Sequence, residues 1–215
     1  YSKNRLLTTI AYRIKGKTTY AMEGSIFIAG AGVQWLRDKM KFFKKAPETE
    51  KIIKSLKDNS DVYLVPAFTG LGAPYWDSNS RGVLSGLTRN TGPKEIIRAT
   101  VESVAYQTYD LFEAMKHDGL KPRLVKVDGG MVTNNWFSQF LSDVVNVGVL
   151  RPRVKETTAL GAAFMAGLQI GVYKSLKDIS NKWSLDKKFS PKMKNKDRAQ
   201  LLKGWSKAIK RTLIN

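Results

Sequence analysis

The stretch Leu124-Val125-Lys126-Val127-Asp128-Gly129-Gly130-Met131-Val132-Thr133-Asn134-Asn135 decides the fold class of this chain. Leu124 to Val127 is β-prone and predicts a buried strand, the glycine pair predicts a turn, and Phe137, Phe140, Leu141 and Val144 predict a helix from about Asn134 to Val145. A strand that feeds two glycines and then a helix start brings backbone close to anionic oxygens. No Cβ stands in the way, and the first N–H groups of the helix have no partner within it. The same pair also fits a plain tight turn, and the segment alone leaves the two readings even. It is neither a Gly-Lys-Ser/Thr phosphate loop nor the three-glycine dinucleotide fingerprint.

Outward from this point the pattern alternates between strand and helix, the signature of an α/β fold. Upstream, Pro93 opens the clearest helix, with Ile97, Val101, Val104, Thr108, Leu111 and Met115 on one face and Gly119 at its end. Gly82 to Leu87 and Val62 to Val65 read as short strands, separated by a long loop over Thr69 to Arg81 rich in Gly, Pro, Asp and Asn. Earlier still, Leu6 to Ile14 and Thr18 to Met22 predict a hairpin turning at Lys15-Gly16-Lys17. A helix is expected from Gly30 to Phe43, bounded by Pro47, and a shorter one over Thr49 to Leu56. Downstream, Val147 to Leu150 predicts a strand. Thr158 to Ile170 predicts a helix whose many small residues imply close packing against a neighbouring element or a ligand. A Lys-rich remainder carries one amphipathic helix near Arg198 to Leu213. No repeat or long linker splits the chain, so one domain over residues 1–215 is expected, and the strand-like start at Tyr1 suggests a piece of a larger protein.

Composition narrows the functions available. No run approaches the roughly 18 uninterrupted apolar residues of a membrane span, and the first ten residues lack the pattern of a signal peptide, so a soluble, cytoplasmic protein is expected. There is no cysteine and one histidine, His117, which removes disulfides, thiolate metal sites and histidine clusters. The formal charge of +19 would suit a nucleic acid if the cations were gathered. Lys44-Lys45, Lys187-Lys188 and Lys192, Lys194 and Lys196 lie apart and read as solvated surface, so a nucleic-acid partner is not expected. An anionic small ligand still fits that charge.

A second glycine-rich helix start, Ala29-Gly30-Ala31-Gly32-Val33-Gln34-Trp35, resembles the first in kind, although alone it fits a core-packed N-terminus better. Trp35, Trp76, Trp136 and Trp183 read as core or loop anchors, and His117 as a helix-end residue. Asp77 and Asp128 are candidate bases without a visible partner.

Gly82-Val83-Leu84-Ser85-Gly86-Leu87, followed by Glu95-Ile96 and Ala99-Thr100-Val101-Glu102, resembles a signature of the FGGY carbohydrate kinases. Tyr20 to Gly24, Gln34 to Asp38, Val65 to Trp76, Val127 to Gly130 and Thr158 to Ala163 resemble the branch of that family that acts on glycerol, with a kinase for another polyol or sugar such as a pentulose as the nearest alternative. The resemblance runs from about Leu6 to Val172 and more loosely beyond. It implies an actin-like, ribonuclease-H-like α/β domain with a mixed sheet flanked by helices, the C-terminal half of a two-domain enzyme that binds ATP or ADP with Mg2+ in its cleft. By position, Gly30 and Gln34 correspond to residues at the nucleotide, Gly130 to the glycine at its phosphates and Asn134 to a residue beside the adenosine, with Gly129 supporting the turn. The catalytic base, the glycerol site and most metal contacts belong to an N-terminal domain of the same kinase, and no catalytic or metal residue is expected in this chain. A homo-oligomer is also implied. A non-catalytic actin-like module is the alternative from another class.

Overall fold

The computed structural model describes residues 1–213. The chain begins with an antiparallel hairpin, β1 (Leu7–Ile14) and β2 (Lys17–Glu23), followed by two short helices, α1 (Gly30–Asp38) and α2 (Glu48–Lys54). An antiparallel pair, β3 (Tyr63–Val65) and β4 (Val83–Ser85), encloses the long loop. Next come α3 (Pro93–His117), β5 (Leu124–Lys126), a single 3₁₀ turn (Gly130–Thr133), α4 (Asn135–Val145) and β6 (Gly148–Pro152). The chain continues through α5 (Thr157–Gln169), α6 (Leu176–Lys182), β7 (Leu185–Phe189) and α7 (Asn195–Thr212). β6 is the middle strand of a mixed sheet, parallel to β5 and antiparallel to β7.

α3 is the axis of the core. Pro93 stands in its first turn, and the Gly92 N–H donates to Glu95 Oε2 at 2.8 Å, which satisfies a donor that the helix itself cannot. Along its length α3 packs on α1, α2, β3 and α4, and its middle, from Thr100 to Gln107, is buried. That burial takes in a charge. Glu102 is fully buried, its carboxylate accepting from Arg98 Nε at 2.7 Å and from Tyr106 Oη at 3.0 Å. Burial pushes the Glu102 carboxyl up, against the pull of the guanidinium and the hydroxyl. The Tyr106 ring in turn stacks on Trp205 of α7 at 5.3 Å and meets Phe140 of α4 and Tyr63 of β3. The Tyr63 ring can lie against α7 because residue 204 is glycine: a Cβ there would sit 2.3 Å from Cζ of Tyr63.

Several expectations are revised by the structure. α1 ends at Asp38 rather than Phe43, because Met40 N donates back to Trp35 O and Phe42 N to Leu36 O. Lys41 takes a positive φ, and the chain turns under to bury Phe43. β5 is not a buried strand. It forms the edge of its sheet, pairs with β6 alone, and leaves Leu124 46% exposed. α5 does not pack closely within the chain: Gly167, against Tyr173, is its one buried residue. The Lys-rich remainder holds α6 and β7 as well as α7, and β7 stays hidden from a pattern search because four of its five residues are exposed.

Asp110, one turn beyond Tyr106 on α3, provides a test of this packing. Its Oδ2 accepts from Tyr75 Oη at 2.9 Å and Trp205 Nε1 at 2.8 Å, and burial raises its carboxyl to about 6 despite those donors. The unfolded chain releases that proton near pH 4, so between about pH 4 and 6 the folded state binds more protons and stability falls as pH rises, by at most about 3 kcal/mol. Asp110→Asn keeps an acceptor and cannot ionise. Urea unfolding at several pH values should show the unsubstituted chain losing stability relative to D110N across this window, and a constant difference would refute the assignment.

Candidate functional site

Two glycine-bearing segments a hundred residues apart in sequence meet across one cavity of about 420 Å³. Gly30, Val33, Gln34 and Arg37 of α1 form one side. Gly130, Met131, Thr133 and Asn134 of the 3₁₀ turn and its exit form another, while Pro47, Thr49 and Glu50 close the third. Val101 of α3 and Phe137 of α4 supply apolar floor. The segments approach closely: a Cβ added to Gly30 would lie 3.8 Å from Met131 Cγ. A mostly apolar interior with backbone-rich, glycine-bearing edges suits a ligand with a flat apolar part and an anionic end.

The turn hangs from β6 and from the segment that follows it by backbone bonds, Val127 N to Leu150 O at 3.0 Å and Gly129 N to Lys155 O at 3.1 Å. Gly129 has φ +82° and ψ −178°, a conformation that only glycine adopts without strain. It swings the chain from the sheet edge into the 3₁₀ turn, where Thr133 Oγ1 donates to Gly130 O at 2.8 Å and Asn134 N to Met131 O at 3.1 Å. Asn134 then caps α4, its Oδ1 accepting from Phe137 N at 2.9 Å. The cap fixes that side chain at the cavity wall, and Asn134 Nδ2 sits 3.5 Å from Thr49 Oγ1 across the gap.

Charge at the rim is arranged in pairs. Arg37 holds Asp38 by a two-bond fork, Nε to Oδ1 at 2.7 Å and Nη2 to Oδ2 at 2.8 Å. This raises the guanidinium and lowers the carboxyl from their usual values. Burial works to raise Glu50, yet Lys54 at 2.6 Å and the Asn135 N–H at 3.3 Å bring its carboxyl below the usual range. Among the described residues there is no cluster of three or more His, Asp or Glu that could hold a metal ion.

Of the five residues singled out from sequence, Gly30, Gln34, Gly130 and Asn134 line the cavity, and Gly129 stands directly behind it as the hinge of the turn. Arg37 could have been anticipated, since it follows Gln34 by three positions on one helix face. Thr49 and Glu50 carry no such signal, because α2 reaches the site only through tertiary packing. The two isolated aspartates fall outside the site. Asp128 is exposed and lines no wall of the cavity, and Asp77 staples the long loop, its carboxyl lowered by the Ser80 hydroxyl at 2.6 Å and the Asn79 N–H at 2.9 Å. Trp35 rests on Phe68, Trp136 stacks on Phe140 beneath Arg98, Trp76 donates to Arg5 O, and Trp183 lies under Lys126, so all four anchor packing or loops. His117 is the exposed last residue of α3.

The fold and the site define an actin-like, ribonuclease-H-like α/β domain built around a glycine-edged cavity. The chain belongs to the FGGY family of carbohydrate kinases: residues 4–170 match the family's C-terminal domain. It is 56% identical over 210 residues to glycerol kinase 1 of Pseudomonas aeruginosa, covering 98% of this chain and 42% of that protein. It is 55% identical over 216 residues to a glycerol kinase of Sinorhizobium fredii, covering 99% of this chain and 44% of that protein. The chain therefore spans less than half the length of these curated relatives. The crystal structure of Plasmodium falciparum glycerol kinase with ADP superposes on all of it with a TM-score of 0.89 at 39% identity, using 43% of that chain. A ligand-bound xylulose kinase from Lactobacillus acidophilus, at 22% identity and a TM-score of 0.78 over 96% of this chain and 41% of that one, shares the fold.

Gly129→Ala tests the turn. A Cβ there would meet nothing within 4 Å, so the cost is backbone strain alone, about 1–3 kcal/mol by denaturant unfolding. Gly161, inside α5 with the same open surroundings, is the control: its alanine variant should gain up to about 1 kcal/mol. Equal effects at the two sites would mean that the positive φ at Gly129 carries no strain.

Proposed function

We propose that this chain is the nucleotide-binding domain of a kinase that transfers the γ-phosphate of ATP to glycerol, giving glycerol 3-phosphate. One observation carries the reading: Gly30 and Gln34 on one side, and Gly130 and Asn134 on the other, enclose a single cavity with an apolar floor. The extent of its identity to glycerol kinases, and the ADP named with the Plasmodium falciparum enzyme, choose among kinases of this fold.

In this reading the base and ribose of ATP or ADP lie over Val33, Val101 and Phe137, with Gln34 and Asn134 at their polar edges. The phosphates lie along the glycine edge at Gly130, where absent Cβ atoms let backbone donors approach. The Arg37 guanidinium stands at the mouth with its charge shared by Asp38. Phosphoryl transfer needs positioning and charge neutralisation more than covalent chemistry from the protein, and this chain supplies the positioning of the donor. Mg2+, when bound, would supply positive charge that offsets that of the phosphates. The few carboxylates near the cavity give this chain little with which to hold it, so its ligands would be the nucleotide and the companion domain.

The N-terminal domain of the same kinase is the partner this reading requires, bringing the catalytic base and the glycerol site. The exposed small-residue helix α5 and the open edge at β5 offer surface for it. Assembly into a homo-oligomer and a cytoplasmic setting belong to the same proposal, and no helix among the described residues is long and apolar enough to cross a membrane.

Titration of the chain with ADP, followed by amide resonances, should shift Gly30, Gln34, Gly130 and Asn134 together. The chain alone should not phosphorylate glycerol. Binding of single-stranded DNA in preference to ADP, weakening steeply with salt, would overturn the reading in favour of a nucleic-acid module. Turnover of glycerol by the isolated chain would overturn the division of labour between domains.

A further inference from the structure

We infer that Arg151 of β6 is a positioning residue for the nucleotide-facing turn, gripping it from behind the cavity wall. Arg151 is a buried cation, 7% exposed, and lies outside the cavity lining. Its Nη1 donates to Val132 O at 2.7 Å and reaches Thr133 O at 3.4 Å, while Nε donates to Asp186 Oδ2 on β7 at 2.7 Å. The Phe189 ring lies 5.6 Å from the guanidinium carbon. One planar group thus ties the last two peptide planes of the 3₁₀ turn to a strand more than fifty residues further along the chain.

The grip matters because the turn has little rigidity of its own. It is a single 3₁₀ turn of four residues, preceded by Gly129 and beginning with Gly130. Each peptide is planar, so holding the carbonyls of Val132 and Thr133 sets the planes that precede Thr133 and Asn134, two residues of the cavity wall. Ser138 Oγ is the other side-chain donor to Val132 O, at 3.2 Å. Without the guanidinium the turn would sample more conformations, and a ligand would have to order it on binding. The fork geometry is what a lysine cannot reproduce, since its ammonium is a point donor that cannot span both carbonyls and Asp186.

This inference rests on the nucleotide reading for its consequence but not for its geometry, and the experiment separates the two. Arg151→Met should raise the Kd for ADP about tenfold and speed amide exchange from Gly129 to Asn134 about tenfold, with exchange in α3 changed less than about twofold. Arg151→Lys should lie between, at about threefold in both. Asp186→Asn, which leaves the bonds to Val132 and Thr133 in place, should fold and show about a threefold effect should R151M fail to fold. Unchanged exchange in the turn, or exchange rising equally in α3, would overturn the positioning role in favour of a purely structural one. An unsubstituted chain that does not bind ADP would overturn the nucleotide reading, while the exchange measurements would still judge the grip on the turn.

Discussion

A carboxylate enclosed within a helix sets the order of this domain. Glu102 lies in the dry middle of α3 and accepts from Arg98 and Tyr106, each four residues away on the same helix. A buried charge is tolerated only when its partners are fixed, so Tyr106 cannot turn away without leaving Glu102 short of a donor. With its hydroxyl held, the ring becomes a fixed surface against which β3, α4 and α7 are arranged through Tyr63, Phe140 and Trp205. Such a pair costs free energy to desolvate, and what it provides is a single arrangement of the elements around it.

The cavity inherits that arrangement. Val101, next to Glu102, is its floor, α1 lies along α3, and α4 carries Asn134 at its cap. The cavity-lining residues thus sit on elements positioned by the core, while the turn that bears Gly130 is held by Arg151 across the back. Rigid scaffold on one side and a clamped turn on the other make a site whose shape is largely formed before a ligand arrives.

Much of this was legible in the sequence, and the failures have physical causes. α3 was readable almost to the residue, since Pro93, a long apolar stripe and Gly119 agree with one another. The glycine segments were visible as glycine-bearing helix starts, and Gly129 takes a backbone conformation that only glycine adopts without strain, but the fact that they share one cavity is tertiary and no local pattern carries it. α1 was overextended because Phe43 continues the apolar spacing, although it reaches the core by a turn and not by helix. β7 escaped because an exposed strand of Leu185-Asp186-Lys187-Lys188-Phe189 has the composition of a surface loop. Arg151 escaped because its partners are the carbonyls of Val132 and Thr133, and carbonyls leave no mark on a sequence.

The match to the family's C-terminal domain ends at residue 170, yet the structure does not end there. Trp205, 1% exposed, stacks on Tyr106 and donates to Asp110, Phe189 belongs to the core, and Asp186 holds Arg151. A domain border drawn where the family match stops would cut through the hydrophobic centre and strip the clamp from the glycine-bearing turn. The segment that lies outside the family match is therefore part of the unit that folds, and the border of a family pattern and the border of a folding unit differ in this protein.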